Sequence, residues 1–360
     1  MSRFSGELVR HSAGMSSSRP VAPGLPATPF RVRDALAAGI RPAALRSVRL
    51  HTPVPGVRMD ARKADDLEAV CRAVALLLPD DAAFSGTTAA ALWGLPLERP
   101  VQAAAAERLR VIGRAGRRPV DTPRVVSHAG LRPGERVTRR GVPVTTPART
   151  WRDLGTEDLL GASLGPHSSG VDQRHEALVV VTDAVLAPDA LRDVPRYGVV
   201  PQDLRSVLTA ARGARGTRAL RAALVDARRF VDSAMETRLR LRLLASGFPC
   251  PVVGADLVTA DGEWVARPDV CWPEVRVGIE YDGESHVNRR RLASDAARRE
   301  AMERVGWRSM VVYAQDVGLR WPATVGRLRD MLALQGCTDP SRLRSYPDVA
   351  IRPRIRCQRL

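Results

Sequence analysis

Trp264-Val265-Ala266-Arg267-Pro268-Asp269-Val270-Cys271-Trp272-Pro273-Glu274-Val275-Arg276-Val277-Gly278-Ile279-Glu280-Tyr281-Asp282-Gly283-Glu284-Ser285-His286 is the stretch on which the fold turns. It reads as two β-strands reversing at Trp272-Pro273-Glu274, because proline cannot donate to a ladder and both flanks are rich in Val, Ile and Trp. Alternation in the second strand places Val277, Ile279 and Tyr281 on one side and Gly278, Glu280 and Asp282 on the other. Two carboxylates therefore share a face, where like charges at i and i+2 repel unless something positive compensates them. A divalent cation answers that need. Asp269, eleven positions before Glu280, is expected to fold back beside the pair, and such hard oxygen ligands suit Mg²⁺ or Mn²⁺.

The flanks supply the rest of a module. A helix is expected from Ala234 to Ser246, ending at Gly247, then a strand from Val252 to Val258 and a turn at Ala260-Asp261-Gly262. After the two central strands come a helix from about Arg290 to Val305, a strand from Trp307 to Tyr313 and a helix from Trp321 to Leu334. Ser233-Ala234-Met235-Glu236 has the form of a capping box, in which Glu236 accepts the backbone N–H of Ser233; the same carboxylate is a candidate beside the metal. Arg240, one turn on, either pairs with Glu236 or contacts phosphate. His286 is a candidate to protonate a leaving group or orient water, or is an ordinary loop histidine. Arg289, Arg290 and Arg298 line the following helix, as a solvated face or as phosphate contacts.

Asp269 followed by Glu280 in an apolar strand resembles the PD-(D/E)XK nuclease signature. Ile279-Glu280-Tyr281-Asp282-Gly283 with His286 is similar to the very-short-patch-repair-like endonuclease branch of that superfamily, and the order α-β-β-β-α-β-α agrees with its core. The resemblance implies a restriction-endonuclease-like αβββαβ domain over residues 233–335. It further implies a metal held by Asp269 and Glu280, and catalytic roles for Asp269, Glu280, Asp282, His286 and Glu236. Two residues after Glu280 the family signature has Lys, whereas this chain has Asp282, and its one lysine is the distant Lys63. The repair-endonuclease branch also lacks that Lys.

A chain of 360 residues with 44% hydrophobic content is long and apolar enough for two or three cores. The formal net charge of +17 comes almost wholly from arginine, whose planar fork suits phosphate oxygens. A polyanion is the expected partner. The five cysteines are scattered without C-x-x-C spacing, which fits a reducing cytoplasm and no zinc site. No apolar run reaches the ~20 residues of a membrane span, so the expectation is a soluble cytoplasmic protein.

Residues 1–28 are rich in Ser, Pro and Gly and read as a disordered tail. Over residues 29–62, two short helices around Gly39 and a hairpin tip at Val54-Pro55-Gly56-Val57 outline a winged helix-turn-helix. Arg46 and Arg49 are expected on its second helix, as DNA contacts or as a solvated basic face. Residues 63–160 read as a mixed α/β domain: a helix over 64–79, a helix capped by Ser85, and strands at Leu109-Ile112, Arg124-His128 and Gly141-Thr145. Residues 161–232 read as a helical connector interrupted at Leu164-Gly170, where His167 and His175 have surface or packing roles. Residues 336–360, with Arg352, Arg354, Arg356 and Arg359, read as a basic tail.

Phe84-Ser85-Gly86-Thr87-Thr88-Ala89-Ala90-Ala91-Leu92-Trp93-Gly94-Leu95-Pro96 and Val142-Pro143-Val144-Thr145-Thr146-Pro147-Ala148-Arg149-Thr150 resemble the AbiEi-type antitoxins, in which a winged helix binds operator DNA. The chain is thus expected to be a multidomain α+β or α/β protein that binds DNA and hydrolyses phosphodiester bonds with a metal-dependent endonuclease-like domain. The alternative is a non-catalytic AbiEi-type antitoxin or transcriptional repressor with a degenerate nuclease fold and a cognate toxin as partner. A third reading is an RNA-processing factor.

Overall fold

The computed structural model describes residues 24–116, 118–120, 122–160, 171–188, 196–283, 289–347, 349 and 352–357. It is a mixed α and β protein with 12 α-helices among the described residues, and it divides into two compact units, residues 1–78 and 79–360.

In the first unit, β1 (Phe30–Arg31), β2 (Leu50–His51) and β3 (Val57–Asp60) form an antiparallel sheet in the order β1-β3-β2. Gly56 supplies the positive φ, +84°, that closes the β2–β3 hairpin at the expected tip. α1 (Val32–Ala37) follows β1, and Phe30, Ala35 and Leu45 pack into a small core. The expected second helix is only a single 3₁₀ turn, Ala44–Arg46, so Arg49 lies beyond it. The physical reason is a lack of apolar repeat: Leu45 is buried, but Val48 is 94% exposed and gives a further turn nothing to bury. α2 (Leu67–Ala75) starts at Asp66, whose carboxylate accepts the N–H groups of Glu68 and Ala69.

The second unit opens with β4 (Ala83–Phe84), α3 (Gly86–Trp93), α4 (Arg99–Glu107), β5 (Leu109–Arg114), β6 (Val125–Leu131), β7 (Arg136–Arg139) and β8 (Val142–Thr145). These strands form a mixed sheet in the order β6-β5-β4-β8-β7. Behind it, α5 (Pro147–Leu154), α6 (Gln173–Leu186), α7 (Pro201–Ala210) and α8 (Thr217–Asp226) enclose Trp151, Leu178, Val185, Leu204 and Leu220. The indole of Trp151 donates to Thr182 Oγ1 at 2.8 Å, so a fully buried ring keeps its polar edge satisfied. His175 on α6 bonds Asp226 of α8 at 2.8 Å, a packing role. His167 and the interruption around it lie outside the described residues.

The remaining elements are α9 (Ala234–Ala245), β9 (Val252–Val253), β10 (Asp256–Thr259), β11 (Trp264–Ala266), β12 (Val270–Trp272), β13 (Val277–Asp282), α10 (Arg289–Arg304), β14 (Arg308–Tyr313), α11 (Ala314–Val317), α12 (Trp321–Leu334) and β15 (Arg354–Cys357). Two sheets result, in the orders β14-β13-β12-β9 and β11-β10-β15. The expected strand Val252–Val258 is broken into β9 and β10 at Gly254, whose φ of +55° turns the chain from one sheet to the other. The expected strand before Trp272 is divided in the same way, with Pro268 between β11 and β12. β14 runs parallel to β13, and β12 antiparallel to both β13 and β9.

Alternation sorts the sheet's two faces. Val270, Trp272, Val277, Ile279, Met310 and Val312 pack with Leu239 and Leu243 of α9 and with Val325 and Leu328 of α12. Cys271 packs on the other side with Met302 of α10 and with Leu257 and Ala266 of the second sheet. The C-terminal segment expected as a tail adds β15 to β10 in parallel, and the buried Arg352 donates to Gly254 O at 3.0 Å.

Candidate functional site

The reversal between β12 and β13 is a 3₁₀ turn, Pro273–Val275, closed by Arg276 at φ 52°. It sets a register in which Cys271 faces Gly278 and Val270 faces Ile279. Asp269 immediately precedes β12, and continuing that register by one step sets it opposite Glu280. Its side chain takes over the ladder there, with Oδ2 accepting the backbone N–H of Tyr281 at 2.6 Å. Packing is tight at Gly278, where a Cβ would lie 3.0 Å from the Pro268 ring and 3.3 Å from Met302, so those side chains would have to shift to admit one.

α9 brings a third carboxylate. Ser233 caps the helix by accepting the N–H of Glu236 at 3.2 Å, while Glu236 Oε2 accepts the N–H of Asp232 at 2.9 Å, one residue earlier than the Ser233 donor expected from sequence. Burial pushes the Glu236 carboxyl up to about 8, and the negative charge of Asp269 adds to the rise. Burial likewise pushes Asp269 up to about 7, against the pull of the Tyr281 N–H, with the charges of Glu280 and Asp232 adding to it and Arg298 opposing it. Asp232 belongs to the same field. Its sequence signal was an acid just ahead of a helix cap, a position where solvated acids are also common.

Glu280 is half-buried and lies 3.5 Å from the Arg298 guanidinium of α10, through Oε2 and Nη1. Asp282, on the same face of β13, is the register partner of Tyr313. Arg289 and Arg290 open α10. His286 lies outside the described residues. Arg240 is correctly placed one turn beyond Glu236, but it is fully buried and its guanidinium holds Asp183 at 3.0 Å. It therefore pairs with neither Glu236 nor a phosphate. Arg46 and Arg49, in the other unit, are both exposed.

Asp269 and Glu280 fit a hard divalent cation in donor type. Both offer carboxylate oxygen at the end of the β12–β13 pair, and burial, with the charges of Glu280 and Asp232 adding to it, raises the proton affinity of Asp269, a penalty that a bound cation would offset. No group of three or more His, Cys, Asp or Glu close enough to hold an ion occurs among the described residues. Two carboxylates with water completing the shell is an arrangement Mg²⁺ accepts.

No family model matches the chain, and no solved structure matches it. Two uncharacterized proteins of Mycobacterium tuberculosis are similar to it, MT2308 of strain CDC 1551 / Oshkosh and Rv2248 of strain ATCC 25618 / H37Rv. Each is 30% identical over 117 residues, which is 32% of this chain and 42% of the relative. The chain thus spans less than half the length of these curated relatives. Neither name states an activity. No described helix is long and apolar enough to cross a membrane.

Proposed function

We propose that this chain is a DNA-binding protein whose C-terminal part, residues 233–335, is a PD-(D/E)XK-type endonuclease-like domain that hydrolyses phosphodiester bonds with Mg²⁺ or Mn²⁺. The observation that carries the reading is the Asp269 carboxylate held by the Tyr281 N–H where it feels the charge of Glu280, with Glu236 of α9 near enough to feel the charge of Asp269. The element order α9, β9 to β13, α10, β14 supports the same reading.

In this reading Asp269 and Glu280 would hold the cation, which when bound lowers the pKa of coordinated water and offsets charge building on the scissile phosphate. The Tyr281 N–H fixes the Asp269 carboxylate in place. Glu236, with its proton affinity raised towards neutrality, is suited to exchange a proton at the site. Asp282 and His286 are the other candidates for proton transfer. The first unit, a sheet with a hairpin tip and a 3₁₀ turn ending at exposed Arg46, with exposed Arg49 just beyond it, is read as a small winged helix-turn-helix.

The test is purified full-length protein incubated with Mg²⁺ or Mn²⁺ and single-stranded, duplex or nicked DNA. Nicking that Asp269→Ala and Glu280→Ala abolish is the expected result; cleavage undiminished in either variant rejects the assignment.

Two observations favour a second reading. Arg298 lies within ion-pair distance of Glu280, and no Lys follows Glu280. Both features suit a non-catalytic AbiEi-type repressor that uses a nuclease-derived fold as a platform. Sequence-specific footprints upstream of its own gene, without cleavage under any metal, would decide for it, and co-purification with a toxin would identify the partner.

A further inference from the structure

Away from the acidic site, α7, α8, the end of α6 and Pro347 enclose a cleft of about 560 Å³. Its lining has a distinct chemistry. Leu186, Leu208, Leu224 and Val225 supply an apolar wall, Arg205, Arg221 and Arg228 supply three cations, and no Asp or Glu is among the described residues that line it. Leu186, Leu208 and Ala227 form a buried floor, whereas Val225 at the lip is 76% exposed. An aliphatic residue so exposed contributes nothing to the protein's own core, and here it extends the apolar wall towards solvent.

The cations are placed rather than adrift. Arg228 donates through Nη1 to Ala227 O at 2.8 Å and to Val225 O at 3.3 Å, which ties its guanidinium to the last carbonyls of α8. Arg205 and Arg221 project from α7 and α8 and are exposed. Three guanidinium groups beside an apolar floor offer charge-assisted hydrogen bonds to an anionic head whose body lies on that floor. Clefts of roughly 300–1,000 Å³ with a mainly apolar lining and a few charged groups hold small organic ligands.

We propose that this cleft binds an amphipathic anion, an aliphatic body carrying a carboxylate or phosphate head, with the body on Leu186, Leu208, Leu224 and Val225 and the head between Arg205, Arg221 and Arg228. The site shares no residue with the acidic cluster and does not depend on the function proposed above.

The probes are sodium decanoate and decyl phosphate, titrated below their micelle concentrations into the full-length protein by calorimetry. Decyltrimethylammonium and inorganic phosphate serve as controls for the head and the body. The expected result is saturable binding of one decanoate per chain, competition by decyl phosphate, and no binding of the cation or of phosphate alone over the same range. The ratio of the two anions' affinities identifies the preferred head. Arg205→Ala/Arg221→Ala should weaken binding at least about tenfold, consistent with loss of charge-assisted contacts. Val225→Glu, at an exposed position, should do the same by placing a like charge at the lip, with circular dichroism verifying that both variants fold. Decyltrimethylammonium binding as tightly as decanoate would overturn the proposal, and so would undiminished affinity in both variants or the absence of any saturable anion binding.

Discussion

Asp183 of α6 and Arg240 of α9 form a buried ion pair, Oδ2 to Nη2 at 3.0 Å, with essentially no exposure of either side chain. The carboxylate is also bonded by the Arg228 N–H at 2.7 Å and the Thr237 hydroxyl at 2.8 Å. This node ties the helical layer to the helix that carries Glu236.

Breaking that pair from one side leaves a charge buried without compensation, which typically costs about 3–5 kcal/mol. Asp183→Ala should therefore lower the urea midpoint far more than an ordinary surface change. Asp183→Leu/Arg240→Met removes both charges and should cost less than the sum of its single variants. Urea unfolding of wild type, Asp183→Leu, Arg240→Met and the double variant checks this; strictly additive losses would show that the pair contributes no coupling.

A second expectation concerns pH. The folded-state pKa of Asp269 is raised to about 7, above an unfolded value of roughly 3.9. The folded state therefore holds the proton longer than the unfolded state. The corresponding stability is fully present below the unfolded value and is lost as pH rises through the folded one. Asp269→Asn keeps an oxygen to accept the Tyr281 N–H but cannot ionise. It should be close to wild type at pH 4 and more stable than wild type at pH 8, as measured by denaturant midpoints. Mg²⁺ should raise the wild-type midpoint at pH 8 and raise that of Asp269→Asn less, by mass action on the folded state. A variant no more stable than wild type at pH 8 would show that Asp269 is not held against its charge.

The central strands were legible because their information is local. Alternation over Val277–Asp282 sorts the two faces of that strand without knowledge of distant partners, whereas the register with β12 is set by the turn closed at Arg276. The fate of Arg240 was not legible. Its helix position was correct, but its partner Asp183 lies 57 residues away, and nothing in α9 signals that contact. The same holds for β15, whose ladder is provided by β10 almost a hundred residues earlier. The break at Gly254 had a local sign in the glycine itself. Deciding between flexibility and a sheet-to-sheet turn required the close approach of Phe230, whose carbonyl oxygen would lie 2.3 Å from an added Cβ.

That approach makes Gly254 a sharp test of the two-sheet arrangement. Gly254→Ala places a methyl group against a backbone oxygen and imposes φ +55° on an L-residue, so both sterics and conformation oppose it. Gly326, in α12, has nothing within 4 Å of an added Cβ, and Gly326→Ala should be neutral or stabilising by up to about 1 kcal/mol. Thermal unfolding should show a clear loss for Gly254→Ala and none for Gly326→Ala. Equal behaviour would mean that the corner between β9 and β10 is not rigid.

Nucleic-acid binding by a chain of net charge +17 should be dominated by phosphate contacts, whose counterion release makes affinity fall steeply between ~50 and ~200 mM salt. Each contact adds roughly 0.9 to the slope of log affinity against log salt on duplex DNA. Arg46 and Arg49 are exposed and their removal leaves the small core around Leu45 intact. Arg46→Ala/Arg49→Ala should therefore weaken duplex binding and reduce the slope by up to about 2, with an unchanged melting profile. Arg298→Ala separates the two roles of its position. If it contacts DNA, affinity and slope fall; if its main partner is Glu280, both are unchanged and the pH dependence of stability shifts instead. A flat salt dependence of the wild-type protein would exclude phosphate-led binding and, with it, the DNA-directed reading of both units.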